Sequence, residues 1–432
     1  MVNNRKYIMK QIFANNSKII TNLNLILISI LPIGIVAGSL ISNIIIGLIG
    51  ILFVIEVIIK DECHYFNEAN FYFLIIINIY LVLNSYFISA NEESVIKSIG
   101  FIRFIIMAYA ISYYFKKFDK IFLRFWLLFF LIVSVDLLIE LFFGKNILGY
   151  ESSYPGRLAG FSGDELKIGG FYFGFIFLSL STFINKKNYL LFIFSALFFV
   201  IALFIGERSN FIKIFTMYLI FFIFFIRTSN LKKFLFIFIM CFLSILIISQ
   251  NPNLKGKFVN QIFNTPLKSY LNANQKIATG KGLHSQTEVI EFISYNQHFS
   301  HYYVALKIFN DNKLFGSGFK SFRIESNKPE YKKEVFGSST HPHQFHFELL
   351  SELGAIGYIL IISNLLFVVF RYIQSSQKNA ISNCALIFII VSIIPILPTG
   401  SFFTSYGATI FFINYSFLIR PNYLNKVKNK SE

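Results

Sequence analysis

The chain has 432 residues, of which 55% are hydrophobic and only 14% are charged. This composition excludes a soluble multidomain protein and indicates an integral membrane protein. The formal net charge of +17 is more typical of loops held against anionic lipid than of nucleic-acid binding, so membrane lipid is an expected partner and nucleic acid is not. Cys63, Cys241 and Cys384 lie far apart, which predicts neither a disulfide framework nor a CxxC metal site.

Apolar segments long enough to cross a bilayer recur along the whole chain. The first belongs to a series and has no small-residue cleavage site behind it, so no removable signal peptide is expected. A window of about 19 residues finds twelve apolar runs, near 19–38, 40–59, 71–90, 99–115, 121–143, 168–184, 188–205, 211–227, 232–249, 346–370, 380–397 and 401–419. The sequence therefore predicts an all-α polytopic membrane protein with about twelve transmembrane helices.

The distribution of Lys and Arg predicts the orientation of the chain in the membrane, because cationic short loops stay on the cytoplasmic side. They are concentrated in both termini and in alternate short connections, so both termini are predicted to be cytoplasmic. One connection is much longer than the rest and falls on the outward side, and loops of that length are usually functional. The predicted organisation is transmembrane helices 1–9 over residues 1–249, a large periplasmic loop over 250–345, and helices 10–12 with a cytoplasmic tail over 346–432.

Titratable residues gather where this loop re-enters the membrane, in THPHQFHFELLSELG. We expect His343 at a helix N-terminus, where the positive helix-end potential disfavours imidazolium and keeps the ring available as a base. One alternative is a set of polar residues that covers a helix end. Another is a metal site built from His341, His343 and His346, but no HExxH pattern is present and no metal or other cofactor is expected.

Arg208 lies in the outward GERSNF turn between two apolar runs. A charged side chain in a membrane has a high free-energy cost unless it is paired. Arg208 is either tied to an acid such as Glu207 or available for an anion, which a guanidinium binds bidentately. Arg157 lies in the preceding outward loop; loop charges are usually solvated, and we also count it as a candidate substrate-binding residue. Asp136 and Glu140, one helical turn apart, are a candidate partner site for a cationic group.

Within the long loop, HYYVALKIFNDNKLFGSGFKSFR predicts a short helix, a glycine turn and a segment that ends at Arg323. The glycines alone are a poor phosphate-loop signal, because no GxxxxGK[ST] pattern is present.

Together these motifs resemble the bacterial O-antigen ligase family. His343 and Gln344, nine further residues and then GAIG (354–357) reproduce its H-[NSQ]-x9-G-x-x-G pattern. GERS around Arg208 is similar to the family's outward motif that ends a span with an Arg. The helix, the GSGFKSF turn and HPHQ resemble the family's large periplasmic loop.

The resemblance implies a GT-C-like, metal-independent membrane glycosyltransferase of the bacterial inner membrane with a periplasmic active site. It would move a glycan from undecaprenyl pyrophosphate to a sugar hydroxyl of lipid A-core. By motif, His343 would help to activate that hydroxyl and Arg208 would hold the pyrophosphate. The family's second phosphate-contacting Arg is replaced here by QHFSHYY, so either His298 or His301 substitutes, Arg323 reaches in, or the pyrophosphate is held differently.

Two other functions compete with the ligase reading. An O-antigen polymerase, or a related lipid-linked-glycan transferase, would catalyse the same type of glycan transfer to a different acceptor. A transporter for a lipid-linked sugar also fits twelve spans, but it is expected to place cationic residues along a central cavity, and here they gather on one side.

Overall fold

The computed structural model describes residues 2–419 apart from 90, 119–120, 166, 185–187, 227, 265–296, 332–338, 377 and 396. Within these, the side chains of 2–16, 164, 188, 261–264 and 297–298 lie outside the description. The regular secondary structure of this described part is helical, and it contains no β-strand, as the apolar runs predict.

The fold of the described residues is built from helices. In chain order they are α1 (Val2–Ala37), α2 (Ser39–Ile59), α3 (Ala69–Phe87), α4 (Ser94–Ile99), α5 (Ile102–Lys117), α6 (Ile121–Phe143), α7 (Ile168–Leu180), α8 (Asn188–Phe204), α9 (Arg208–Ile220), α10 (Asn230–Gln250), α11 (Pro252–Lys255), α12 (Gln297–Asp311), α13 (Phe322–Glu325), α14 (Phe345–Gln374), α15 (Ala380–Ser392) and α16 (Ser405–Ser416). Single turns of 3-10 helix occur at Cys63–Phe66 and Gly160–Glu165, and π-helical turns at Phe221–Phe225 and Gly256–Asn264.

Within the described residues, eight helices are long and apolar enough to cross a membrane. They are Ser17–Ala37, Ser39–Ile59, Ala69–Phe87, Ser94–Lys117, Ile121–Phe143, Arg208–Phe225, Asn230–Gln250 and Phe345–Gln374. Three further apolar helices are shorter, Ile168–Leu180, Tyr189–Phe204 and Ala380–Ser392. Each of the twelve predicted runs overlaps a helix; the count of twelve crossings stays a prediction.

The shorter helices stop early at one end of the bundle. α8 ends at Phe204 and α9 begins at Arg208, while α15 ends at Ser392 and α16 begins only at Ser405. Irregular backbone at membrane depth is tolerated only where it is buried in protein or lines a cavity. These interruptions therefore mark the place where a site is built.

The described part of the long loop has its own small core. Apolar side chains of α12 and α13 pack together, and Phe347 at the start of α14 covers them; the core residues are Val304, Ala305, Ile308, Phe322 and Tyr331. The helix and the glycine turn that the sequence predicts are both present, as α12 and residues 312–321. α12 thus rests directly on α14.

α14 is broken at Gly354, which has φ 66° and ψ −169°. A break in a buried helix frees backbone groups, and each needs a new partner. The glycine turn supplies these partners: Ala355 N–H donates to the Lys313 carbonyl at 2.8 Å, and Ser317 N–H donates to the Ser351 carbonyl at 2.9 Å. The loop backbone is therefore interlocked with the helix at this break.

The end of α3 closes the other side of the same turn. The Asn84 side chain accepts from Phe319 N–H and donates to the Phe315 carbonyl, both at 2.7 Å. Tyr80 donates its hydroxyl to the Leu353 carbonyl at 2.6 Å, which satisfies a carbonyl next to the break. The position of α12 relative to α14 is consequently fixed through backbone and amide hydrogen bonds.

Gly354→Ala is expected to destabilise the protein strongly. A Cβ at this position meets the Gly316 nitrogen and the Leu314 carbonyl carbon, both at 2.4 Å. The positive φ alone costs an alanine about 1–3 kcal/mol, and the collision with backbone adds to this. The measurement is the apparent melting temperature of the purified protein in detergent.

Gly47→Ala is the matched control, because a Cβ there meets nothing within 4 Å and alanine favours a helix. Equal melting temperatures for the Gly354 and Gly47 variants would show that the interlock contributes little to stability.

Candidate active site

His343 lies directly before the first turn of α14. Gln344 caps this helix, since its side-chain oxygen accepts from Phe347 N–H at 3.0 Å, so the predicted position at a helix N-terminus is confirmed. His343 has φ 59°, which is uncommon for a residue other than glycine. Its carbonyl accepts from Thr399 N–H at 2.8 Å, which helps to fix this conformation.

Two other imidazoles lie beside the His343 ring. The ring centroid of His341 is 4.0 Å away, and that of His301 on α12 is 5.3 Å away. His301 is buried, and its Nε2 has no hydrogen-bond partner among the described residues. Burial lowers the pKa of His301, because desolvation disfavours the charged ring. α12 thus places a buried imidazole next to His343.

His346 faces away from this pair. One of its ring nitrogens lies 3.1 Å from the Tyr358 hydroxyl oxygen, and the other lies 2.7 Å from the Ile393 carbonyl oxygen. His341, His343 and His346 therefore do not converge on one point. In the described part of the chain, no three His, Cys, Asp or Glu side chains have an arrangement that would hold a metal ion.

A cavity of about 590 Å³ opens at the interrupted end of the bundle. His343 and Arg208 both line it, although they come from different helices and lie far apart in the sequence. The charged residues that share this lining are Arg157, Glu165, Lys167, Glu207 and Lys213. Cations outnumber carboxylates there, so the cavity favours an anionic ligand.

Arg208 is the first residue of α9 and is half-buried. In the described part of the chain no carboxylate forms an ion pair with it. The neighbouring Glu207 carboxylate instead accepts from the Asn210 side-chain amide at 2.6 Å and from Gly169 N–H at 3.3 Å. The sequence analysis left open whether Arg208 pairs with Glu207 or is available for an anion. In the structure, Arg208 does not form the ion pair with Glu207.

Arg157 comes to the same cavity from the loop before α7. Its guanidinium carbon lies 5.9 Å from the centre of the Tyr154 ring. Arg157 also lines a second, more polar cavity of about 410 Å³. It is therefore a wall residue of both spaces and not merely a solvated loop charge.

Residues 398–402, which we call the strap, connect the two sides of the cavity. On one side, Lys213 of α9 donates to the Pro398 carbonyl at 2.8 Å. On the other, Thr399 N–H holds the His343 carbonyl at 2.8 Å. The helix that begins with Arg208 is thereby tied to His343.

Glu348, on the first turn of α14, anchors the far end of the strap. Its carboxylate accepts from the Ser401 hydroxyl and from Phe402 N–H, the latter at 2.8 Å. Glu352, one turn later, accepts from Lys320 N–H of the glycine turn at 2.9 Å. Glu348 and Glu352 thus bind the strap and the glycine turn, respectively, to α14.

Residues 190–362 match the family model described as O-Antigen ligase. This part of the chain belongs to the O-antigen ligase family. A comparison with curated proteins gave no match. The family assignment implies a ligase- or polymerase-type function on lipid-linked glycans in a membrane.

The matched region contains His343, Arg208 and the Gly354 break. The resemblance predicted from the H-[NSQ]-x9-G-x-x-G pattern is therefore confirmed. Arg157 and the strap lie outside the match, so the cavity is lined by residues from within the family region and from both sides of it.

Other sequence-predicted residues have different positions. Arg323 is exposed and is not among the residues that line the cavity. The His298 side chain lies outside the described residues. Among the described residues, Asp136 and Glu140 form no ion pair with a cation. Asp136 accepts from Ile147 N–H at 2.9 Å and Glu140 from Ala159 N–H at 2.7 Å, so both bind the loop backbone.

The sequence analysis missed Lys213 and the strap. A lysine inside an apolar span is itself a functional signal, and Lys213 follows Arg208 by little more than one helical turn. The strap has no comparable signal, since its role depends on backbone groups.

Glu348→Ala is expected to loosen the strap. The substitution removes the acceptor for Ser401 and Phe402, and a buried donor left without a partner costs about 1–3 kcal/mol. The measurement is hydrogen exchange of peptides that cover residues 398–404, together with the melting temperature. Glu348→Gln, which keeps one acceptor oxygen, should lose less.

Glu330→Ala is the control, because Glu330 is exposed. Unchanged exchange in residues 398–404 of the Glu348→Ala protein would contradict the anchoring role.

Proposed function

We propose that this protein transfers a glycan from undecaprenyl pyrophosphate to a sugar hydroxyl of lipid A-core, at the periplasmic face of the bacterial inner membrane. The observation that carries the proposal is that an imidazole, His343, and an unpaired guanidinium, Arg208, line one cavity. The Lys and Arg distribution supports an outward position for this cavity.

The charge of the cavity supports a lipid diphosphate as the donor. Arg208 has no carboxylate partner among the described residues, and a guanidinium binds phosphate oxygens through two parallel hydrogen bonds. Phe173, Phe388 and Phe411 line the same cavity. A cationic wall next to aromatic rings suits a ligand with a charged head and an apolar tail.

In the proposed reaction, His343 takes the proton of the acceptor hydroxyl. The hydroxyl oxygen attacks the anomeric carbon of the donor glycan, and a new glycosidic bond forms. The bond from that carbon to the diphosphate oxygen breaks, and its electron pair leaves with undecaprenyl diphosphate. Arg208 stabilises the negative charge that develops on the leaving group.

Purified protein in detergent, supplied with a lipid-linked glycan and lipid A-core, tests the proposal directly. Glycan attached to core is the expected product. Glycan attached instead to a second lipid-linked glycan would identify a polymerase. No product with either acceptor, together with movement of lipid-linked sugar across proteoliposomes, would identify a transporter.

His343→Ala is expected to reduce transfer by roughly 10²–10⁴-fold, the usual contribution of a general base, while membrane abundance stays normal. His346→Gln is the matched control: both His346 ring nitrogens have protein partners, so its loss should lower the melting temperature more than the turnover. Retained transfer in the His343→Ala protein would remove His343 from the mechanism.

Arg208→Lys is expected to impair transfer although the charge is kept, because lysine lacks the planar fork that matches phosphate. The initial rate at saturating acceptor, measured against donor concentration, should show a raised KM for the donor. Arg124→Lys, at an exposed position on α6, is the control. Near-normal kinetics in the Arg208→Lys protein would favour a purely structural role for this side chain.

A further inference from the structure

The second cavity, of about 410 Å³, shares a wall residue with the cavity that His343 and Arg208 line. That residue is Arg157, which lines both. The rest of the lining comes mainly from the end of α6, from the loop between α6 and α7, and from residues 251–254 at the beginning of the long loop. Because the two cavities meet at Arg157, one extended ligand can occupy both.

The two cavities differ in charge. The first has four Lys and Arg residues and two Glu residues in its lining. The second has Arg157 as its cation, together with the carboxylates of Glu140 and Glu151. A phosphate group therefore favours the first cavity, and the second suits an uncharged part of a ligand.

The second cavity presents side chains that match the surface of a sugar. Asn253 is exposed in its lining, and a primary amide both donates and accepts hydrogen bonds, as a hydroxyl group does. Tyr154 is 52% exposed there and offers an apolar ring face with a polar hydroxyl at its edge. A pyranose has the same two features, hydroxyl groups at its rim and an apolar C–H face.

Contacts within the protein fix the walls of this cavity. The Glu140 carboxylate, at the end of α6, accepts from Ala159 N–H at 2.7 Å. The loop that carries Tyr154 touches the segment that carries Asn253, because a Cβ on Gly156 would lie 2.6 Å from the Asn253 Cβ. A ligand that binds between walls already held in this way loses little free energy in ordering them.

We infer that the second cavity binds the sugar that is linked to the diphosphate in the lipid-linked donor. The identity of this ligand rests on the proposed function. The sugar and the diphosphate are covalently joined, and Arg157 lies where the uncharged-ligand cavity meets the cationic one. Tyr154 and Asn253 are therefore specificity-determining residues, which recognise the glycan and not the lipid carrier.

The test compares two ligands on the full-length protein in detergent, undecaprenyl pyrophosphate that carries the glycan and undecaprenyl pyrophosphate without sugar. Tyr154→Ala and Asn253→Ala should each weaken binding of the glycan-bearing lipid roughly three- to tenfold, the contribution of one packed ring or one hydrogen bond. Binding of the sugar-free lipid should stay unchanged in both variants.

Each variant has a matched control. Tyr150 lies in the same loop as Tyr154 and is 50% exposed, but it does not line the cavity. Lys255 lies in the same short helix as Asn253, is exposed and is likewise absent from the lining. Tyr150→Ala and Lys255→Ala should bind both lipids like the unmodified protein.

Hydrogen exchange of the unmodified protein provides a measurement that needs no variant. The glycan-bearing lipid should protect peptides that cover residues 150–155 and 251–254, and the sugar-free lipid should not. Equal protection by both lipids would contradict a sugar site.

Equal losses for both lipids in Tyr154→Ala would overturn the inference, since the ring would then act through Arg157, as would equal losses in the Tyr150 and Tyr154 variants. A loss confined to affinity for lipid A-core would overturn the assignment to the donor. Sugar-selective losses in a protein that transfers no glycan to any acceptor would support the sugar site and refute the proposed function. Transfer to lipid A-core with unchanged donor affinity in both variants would do the reverse.

Discussion

The break in α14 at Gly354 is the constraint on which the site depends. A helix buried in a membrane protein can open only where other groups satisfy its freed N–H and C=O, and here the glycine turn of the long loop does so through Ala355 and Ser317. The loop is therefore not an appendage to the bundle. Its helix α12 is fixed on α14, and His301 is brought to 5.3 Å from His343.

A second constraint places His343 and Arg208 on one cavity. The spans that surround it end early, and the strap fills the gap between α15 and α16. Lys213 holds the strap from the side of Arg208, and Glu348 holds it from the side of His343. Lys213 and Glu348 are both buried, and through the strap they connect the helix that begins with Arg208 to the helix that follows His343.

Particular residues show how far the sequence could be interpreted. The helices followed from apolar runs, and the position of His343 followed from the helix-start pattern after Pro342. Arg208 was recognisable because an unpaired charge in a span is costly. Arg323 is exposed and outside the cavity lining, and its role as a candidate substrate-binding residue stays a prediction. Lys255 and Lys257 are indistinguishable in NPNLKGKF, yet one is exposed and the other has a buried ammonium.

The sequence by itself determined the helical membrane architecture and the chemical types at the site, because hydropathy and the cost of a buried charge are local properties of a segment. Only the tertiary structure decided which cations share the cavity, and which carboxylates hold backbone instead of pairing with them. Those outcomes depend on close approaches such as Gly156 against Gly206 and on hydrogen bonds between segments far apart in the chain. Side-chain identity alone does not specify such contacts.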